Sequence, residues 1–165
     1  QGVTSGDTLE YACGSEPEWP LGDAGATDNC NTLADFTLVE TPENGDDCNS
    51  LTRVTWSALD ACGLSAEFVV FVKITDTTAP EFTGSLPADT SYECSNVPLP
   101  DTLAATDNCD TDVTVTFNEI IQNGGCPYTI ERTWTATDNC GNVTMHTQTL
   151  TVTDGEAPVL SCGRR

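Results

Sequence analysis

The residues with chemistry to offer recur at a fixed spacing. "RTWTATDNCGN" (132–142) ends an alternating Thr-rich run in a carboxylate, an amide, a thiol and a glycine, and "RVTWSALDACGLS" (53–65) repeats the pattern 78 residues earlier, with Trp56, Asp60, Cys62 and Gly63 standing for Trp134, Asp138, Cys140 and Gly141. A thiol near a carboxylate suggests nucleophilic catalysis. A nucleophile, however, needs a base within hydrogen-bond reach, and the one histidine, His146, falls in the alternating run "VTMHTQTLTV", in the register that Phe68 holds in the earlier copy. A core-facing structural histidine is the expectation there. No nucleophile, base and metal cluster occur together, so an enzyme is not expected.

The nine cysteines fall as two sets of four, Cys13, Cys30, Cys48, Cys62 and Cys94, Cys109, Cys126, Cys140, with Cys162 left over. Zinc sites want close cysteine pairs and histidines. Here the spacings within a set are 14 to 18 residues, so disulfides and an oxidising, extracellular setting are expected. A bridge closing a loop of about 30 residues contributes roughly 3 kcal/mol by restricting the unfolded chain.

Carboxylates are the other candidate ligands. Asp28, Asp107 and Asp138 sit in turns, and Asp76, Asp154 and Glu156 in the links that follow each copy. Such hard oxygen ligands suit calcium, the one cofactor with candidates here. The competing expectation, favoured by the lack of a D-x-D-x-D-G loop, is that they are solvated turn carboxylates. There are 26 acidic side chains against five basic ones, a formal charge of -21, yet 38% of the residues are apolar. Disorder would need low hydrophobicity as well. Nucleic acid is excluded as a partner, because phosphates are gripped by Lys and Arg. No apolar stretch approaches the ~20 residues that span a bilayer, and the N-terminus carries no signal-peptide pattern.

The elements that must position these residues are strands. "VTVTFNEI" (113–120) and "YTIERTWTAT" (128–137) alternate and are rich in β-branched residues, with "QNGG" between them as a hairpin signal. After each Trp motif come "FVVFVKITDTTAPEF" and "TQTLTVTDGEAPVL", and before each come "YAC" or "YEC" and then "ATDNC". The chain divides into two repeats, residues 1–76 and 77–154, with a tail at 155–165. Several short strands per repeat and no helical period predict an all-β fold of two tandem immunoglobulin-like β-sandwiches stabilised by disulfides. Trp56 and Trp134, in strands at matching places, are expected in the cores; Trp19, in "EPEWP", is the loop-borne aromatic.

These residues carry a resemblance. "RTWTATDNCGN" followed by "TQTLTVTDGEAPVL", with "YECSNVPLP" and "ATDNC" upstream, resembles the hyalin-repeat (HYR-like) immunoglobulin-type modules found in tandem in surface adhesins of gliding, type-IX-secreting bacteria. The second copy fits closely; the first has "ALDACGLS" where the pattern wants Thr-Asp-x-Cys-Gly-Asn. The resemblance implies non-enzymatic, secreted, cell-surface modules acting as stalks or adhesive units, with other copies, surface glycans or substrata as partners. It does not name a ligand. It also makes Thr8, Thr77 and Thr102, each preceded by Asp, candidate glycan acceptors beside the sequon at Asn142.

If copies are strung end to end, an odd number of strands must join opposite ends of each domain. Tracing five through the second copy puts Cys109 and Cys140 at one end and Cys94 and Cys126 at the other. Of the three connectivities open to each set, this tracing predicts Cys13–Cys48, Cys30–Cys62, Cys94–Cys126 and Cys109–Cys140. Asp138 is then a turn residue bonding backbone amides, and Gly141 accepts a positive φ.

The second copy is introduced by "TAPEFTGSLPADTSYEC", the first by "QGVTSGDTLEYAC", which has no "APEF". A similar piece, "EAPVLSCGRR", follows the second copy. A cut through a long array produces this pattern. As a mature chain, the molecule would instead assemble head to tail, Val159 and Leu160 of one subunit adding a strand to the next and Cys162 free or bonded to a neighbour. The alternatives to a stalk or adhesion unit are thus a filament subunit and, more remotely, a carbohydrate-binding module.

Overall fold

A computed structural model describes residues 3–15, 25–29, 33–46, 48–122 and 125–160. Among these the regular elements are ten strands and a single 3-10 turn at Cys94–Asn96, as the period-2 runs predict for an all-β chain. The chain forms two compact units, Gln1–Thr78 with Asn108–Thr111, and Ala79–Asp107 with Asp112–Arg165.

The first unit holds β1 (Thr8–Ala12), β2 (Leu33–Gly45), β3 (Asn49–Asp60) and β4 (Ser65–Thr75) in one sheet of order β1-β4-β3-β2. β1 runs parallel to β4, with Thr8 opposite Phe71 and Ala12 opposite Thr75; the other neighbours are antiparallel. Alternation selects the core. Val54 and Trp56 of β3 and Val70 and Val72 of β4 are buried, with Tyr11, Phe36, Leu38 and Ile74 packed against them.

The second unit holds β5 (Glu81–Thr83), β6 (Thr90–Glu93), β7 (Ala104–Thr106), β8 (Thr114–Gln122), β9 (Tyr128–Thr137) and β10 (Val143–Thr153). β6-β10-β9-β8 form one sheet, β6 parallel to β10, and β5 pairs with β7 in a second. β8, β9 and β10 lie in the alternating runs read as strands. β5 lies in a segment read as a link, three residues being too short to alternate visibly. Asn123 and Gly124 of the expected hairpin turn lie outside the described residues.

The second core contains Ile130, Trp134, Ala136, Leu150 and Val152. Arg132, in the same inward register of β9, is only 4% exposed. Its guanidinium donates from Nε to Glu119 Oε2 at 2.8 Å and from Nη2 to the Pro98 carbonyl at 2.7 Å. A charge withdrawn from water is tolerated only with such partners.

Candidate functional site

The paired Asp-x-Cys-Gly turns are where the sequence concentrates its chemistry, and each is built from one carboxylate. Asp138 directly follows β9; its Oδ1 accepts from the amides of Cys140 (2.9 Å) and Asn142 (2.8 Å), and its Oδ2 from Asn142 Nδ2 (2.8 Å). The Asp138 amide donates to the Asn142 carbonyl and the Gly141 amide to the Asp138 carbonyl. Gly141 takes φ +85°, a left-handed conformation that glycine adopts without steric cost. Burial pushes the Asp138 pKa up, but the hydrogen bonds from Asn142, Cys140 and Gly141 outweigh it and hold the carboxyl below its ordinary 3.8.

Asp60 repeats the arrangement at the end of β3. Its Oδ1 accepts from the amides of Cys62 and Leu64, both at 2.8 Å, and Gly63 takes φ +86°. Leu64 stands where Asn142 does and has no side-chain donor, so this turn lacks the third bond. Both oxygens of Asp138 accept hydrogen bonds within its own turn and fix the end of the strand. The sequon amide of Asn142 is committed to the same turn. Among the other candidate glycan acceptors, Thr8, Thr77 and Thr102 are exposed.

The cysteine pairing differs from the expectation. Cys13 is bonded to Cys109, 96 residues away, in place of Cys13–Cys48 and Cys109–Cys140. Asn108 Nδ2 supports the bridge, donating to the Cys13 carbonyl at 3.1 Å. Cys48 and Cys140 are disulfide-bonded as well. Cys94 and Cys126 are exposed thiols, which corrects the expected Cys94–Cys126 bridge. The physical reason is the strand order. Cys13 follows β1 and Cys48 precedes β3, and β4 lies between them; Cys94 follows β6 and Cys126 precedes β9, with β10 between. Two strand spacings are roughly 10 Å, beyond the ~7 Å Cα separation a disulfide spans. Cys30, the expected partner of Cys62, lies outside the described residues, as do Trp19 and Cys162.

His146 Nε2 lies 2.9 Å from the Pro87 carbonyl, and its ring meets Phe82 edge-on (centroids 6.5 Å apart) and Trp134 at a tilt (5.9 Å). Trp56 and Trp134 are core residues, 8% and 1% exposed, and Trp134 Nε1 donates to the Asp101 carbonyl.

Of the calcium candidates, Asp28, Asp154 and Glu156 are exposed and Asp107 is half-buried. Asp154 Oδ1 accepts from the Glu156 amide. Asp76, just past β4, differs: it is 7% exposed, Oδ1 accepts from the Thr78 amide, and the buried Oδ2 has no hydrogen-bond partner. Spacing did not set Asp76 apart from the other acidic residues. Arg132 was also missed, although its place in the inward register of "YTIERTWTAT" was the available signal.

This strand-and-turn geometry has a counterpart among known domains. Residues 84–152 match the family of HYR-like domains with 4 cysteines. The matched stretch contains Cys94, Cys109, Cys126 and Cys140. No curated protein matches the chain. Among solved structures, Drosophila N-cadherin EC1-4 is similar at 14% identity and a TM-score of 0.35 over 63% of this chain and 32% of that one. Human mucin-like protocadherin EC1-2 is similar at 16% identity and a TM-score of 0.34, over 93% and 98% of the two chains. The protocadherin gammaB7 EC3-6 cis-dimer structure is similar at 14% and 0.32, over 92% and 46%. At these TM-scores the likenesses identify neither a partner nor a function.

Proposed function

We propose that this chain is a non-enzymatic extracellular repeat of a cell-surface protein, two tandem immunoglobulin-like HYR-type modules that carry tension as a stalk or adhesion unit. The observation that supports it most is that the chain enters and leaves each four-stranded sheet on a parallel pair, β1 with β4 and β6 with β10. Pulling the two ends of such a sheet apart loads the pair along its length, so several backbone hydrogen bonds must fail together instead of one after another. The Cys13–Cys109 bridge adds a covalent route past 96 residues.

The turn chemistry agrees with this role, since the carboxylates, glycines and tryptophans secure strand ends and cores. The charge of -21 keeps such a surface module soluble and away from anionic membranes. Adhesive partners are other copies of the repeat, surface glycans or substrata. Calcium is the cofactor this reading admits, with Asp76 Oδ2 as the oxygen a cation would satisfy. Two experiments test the proposal. End-to-end extension should find both units resistant to unfolding. A peptide- or glycan-directed activity of the purified chain, lost in Asp138→Asn with the fold intact, would overturn it.

A further inference from the structure

The first unit incorporates a piece of the second repeat. Asn108–Thr111, the end of the second "ATDNC" motif and the two residues after it, belong to that unit. They are fastened there at Cys13, to which Cys109 is disulfide-bonded and whose carbonyl accepts from Asn108 Nδ2 at 3.1 Å. The parallel pair sets Cys13 in place. It is the first residue past β1, whose last rung puts Ala12 opposite Thr75, and its amide donates to the Thr75 carbonyl at 3.2 Å. A cysteine held at the end of a sheet in this way receives the cysteine of a loop that another repeat supplies.

Cys94 repeats the placement of Cys13. "YEC" at 92–94 stands for "YAC" at 11–13. Cys94 is the first residue past β6, and the last rung of β6 with β10 puts Glu93 opposite Thr153 as that of β1 with β4 puts Ala12 opposite Thr75. Its thiol is exposed and unbonded. We infer that Cys94 is the attachment point for the Asn-Cys loop of another HYR-like repeat, the loop cysteine bonding Cys94 as Cys109 bonds Cys13 and the loop asparagine donating to the Cys94 carbonyl. The chain turns differently past the two cysteines, through Gly14 at φ +77° in one and the 3-10 turn Cys94–Asn96 in the other. Both groups that receive the loop, the Sγ and the carbonyl, belong to the cysteine itself. Bond formation takes one proton and one electron from each thiol, and the electrons go to a disulfide oxidant by exchange: the Cys94 thiolate attacks it and releases one thiol, and the loop thiolate then attacks the mixed disulfide and releases the other. The inference rests on the reading of the chain as a structural repeat, of which it names the partner.

The test uses the full chain and a peptide of residues 104–111 whose thiol is activated as a mixed disulfide with thionitrobenzoate, so that an attacking thiolate takes the peptide and releases thionitrobenzoate. Cys126 is the internal control, a second exposed thiol that lies across β10 from Cys94. Glutathione activated in the same way gives the intrinsic reactivity of each thiol. A peptide map after brief labelling reads the ratio of adduct at Cys94 to adduct at Cys126. The peptide should raise that ratio over the glutathione value by roughly fivefold or more, the effect of one hydrogen bond from the loop asparagine. The same peptide with Asn108→Ala should return it to the glutathione value. A peptide that divides between the two thiols as glutathione does, or one whose preference for Cys94 survives Asn108→Ala, would overturn the inference. Resistance of the single chain to force is read with no peptide present, so the two claims fail separately.

Discussion

Asp138 shows at the scale of one residue why these conspicuous groups are structural. Replacing it with Ala strands the Cys140 and Asn142 amides and should cost about 1–3 kcal/mol, read as a lower melting temperature. Asp60→Ala, with one bond fewer to lose, should cost less. The sign of the pH dependence follows from the lowered pKa of Asp138. Its contribution is complete above the ordinary value of 3.8 and disappears as pH falls through the lower folded value, so the gap between parent and Asp138→Ala should close below pH 3.8. Thiol accounting is equally direct. Without reductant, Cys94 and Cys126 should react with iodoacetamide, and a peptide map should join Cys13 to Cys109. At Asp76, added calcium should raise the melting temperature and Asp76→Asn should abolish the rise; a melting curve unchanged by calcium and by chelator removes calcium from the account.

At the scale of elements, the β9 strand combines a hydrophobic face with one buried charge. Glu119→Ala leaves the Arg132 guanidinium with the Pro98 carbonyl alone. Because Glu119 is partly exposed, the expected loss is about 2 kcal/mol in chemical denaturation, below the 3–5 kcal/mol of a fully buried pair. The long strands β3, β4, β8, β9 and β10 were legible because alternation is local and β-branched runs are long, whereas β2 was not singled out; the Asp-x-Cys-Gly turns were legible because every bond in them spans four residues or fewer. The disulfides were not. Placing Cys13 and Cys48 at one end of a sheet follows from strand direction, but whether they touch depends on β4 lying between β1 and β3, a non-local fact. β5 escaped for the opposite reason, its three residues being too few to show a period. The orphaned oxygen of Asp76 depends on burial, which spacing does not report.

At the scale of the whole molecule, the central claim is that the repeat carries tension, and its strand order states how. With the bridges intact, the Cys13–Cys109 link hides 96 residues from an applied force. Reduction, which also opens the bridges at Cys48 and Cys140, should therefore lengthen the fully stretched chain by at least roughly 320 Å, at about 3.3 Å or more per residue. The decisive measurement is single-molecule extension of the reduced chain along two directions. Handles at the two ends load the β1–β4 and β6–β10 pairs in shear. Handles at positions 114 and 137, which face each other across β8 and β9, open that hairpin one hydrogen bond at a time. The account predicts that both units rupture at clearly higher force when pulled through the ends than the second unit does when pulled across 114 and 137; equal or lower forces through the ends would contradict it.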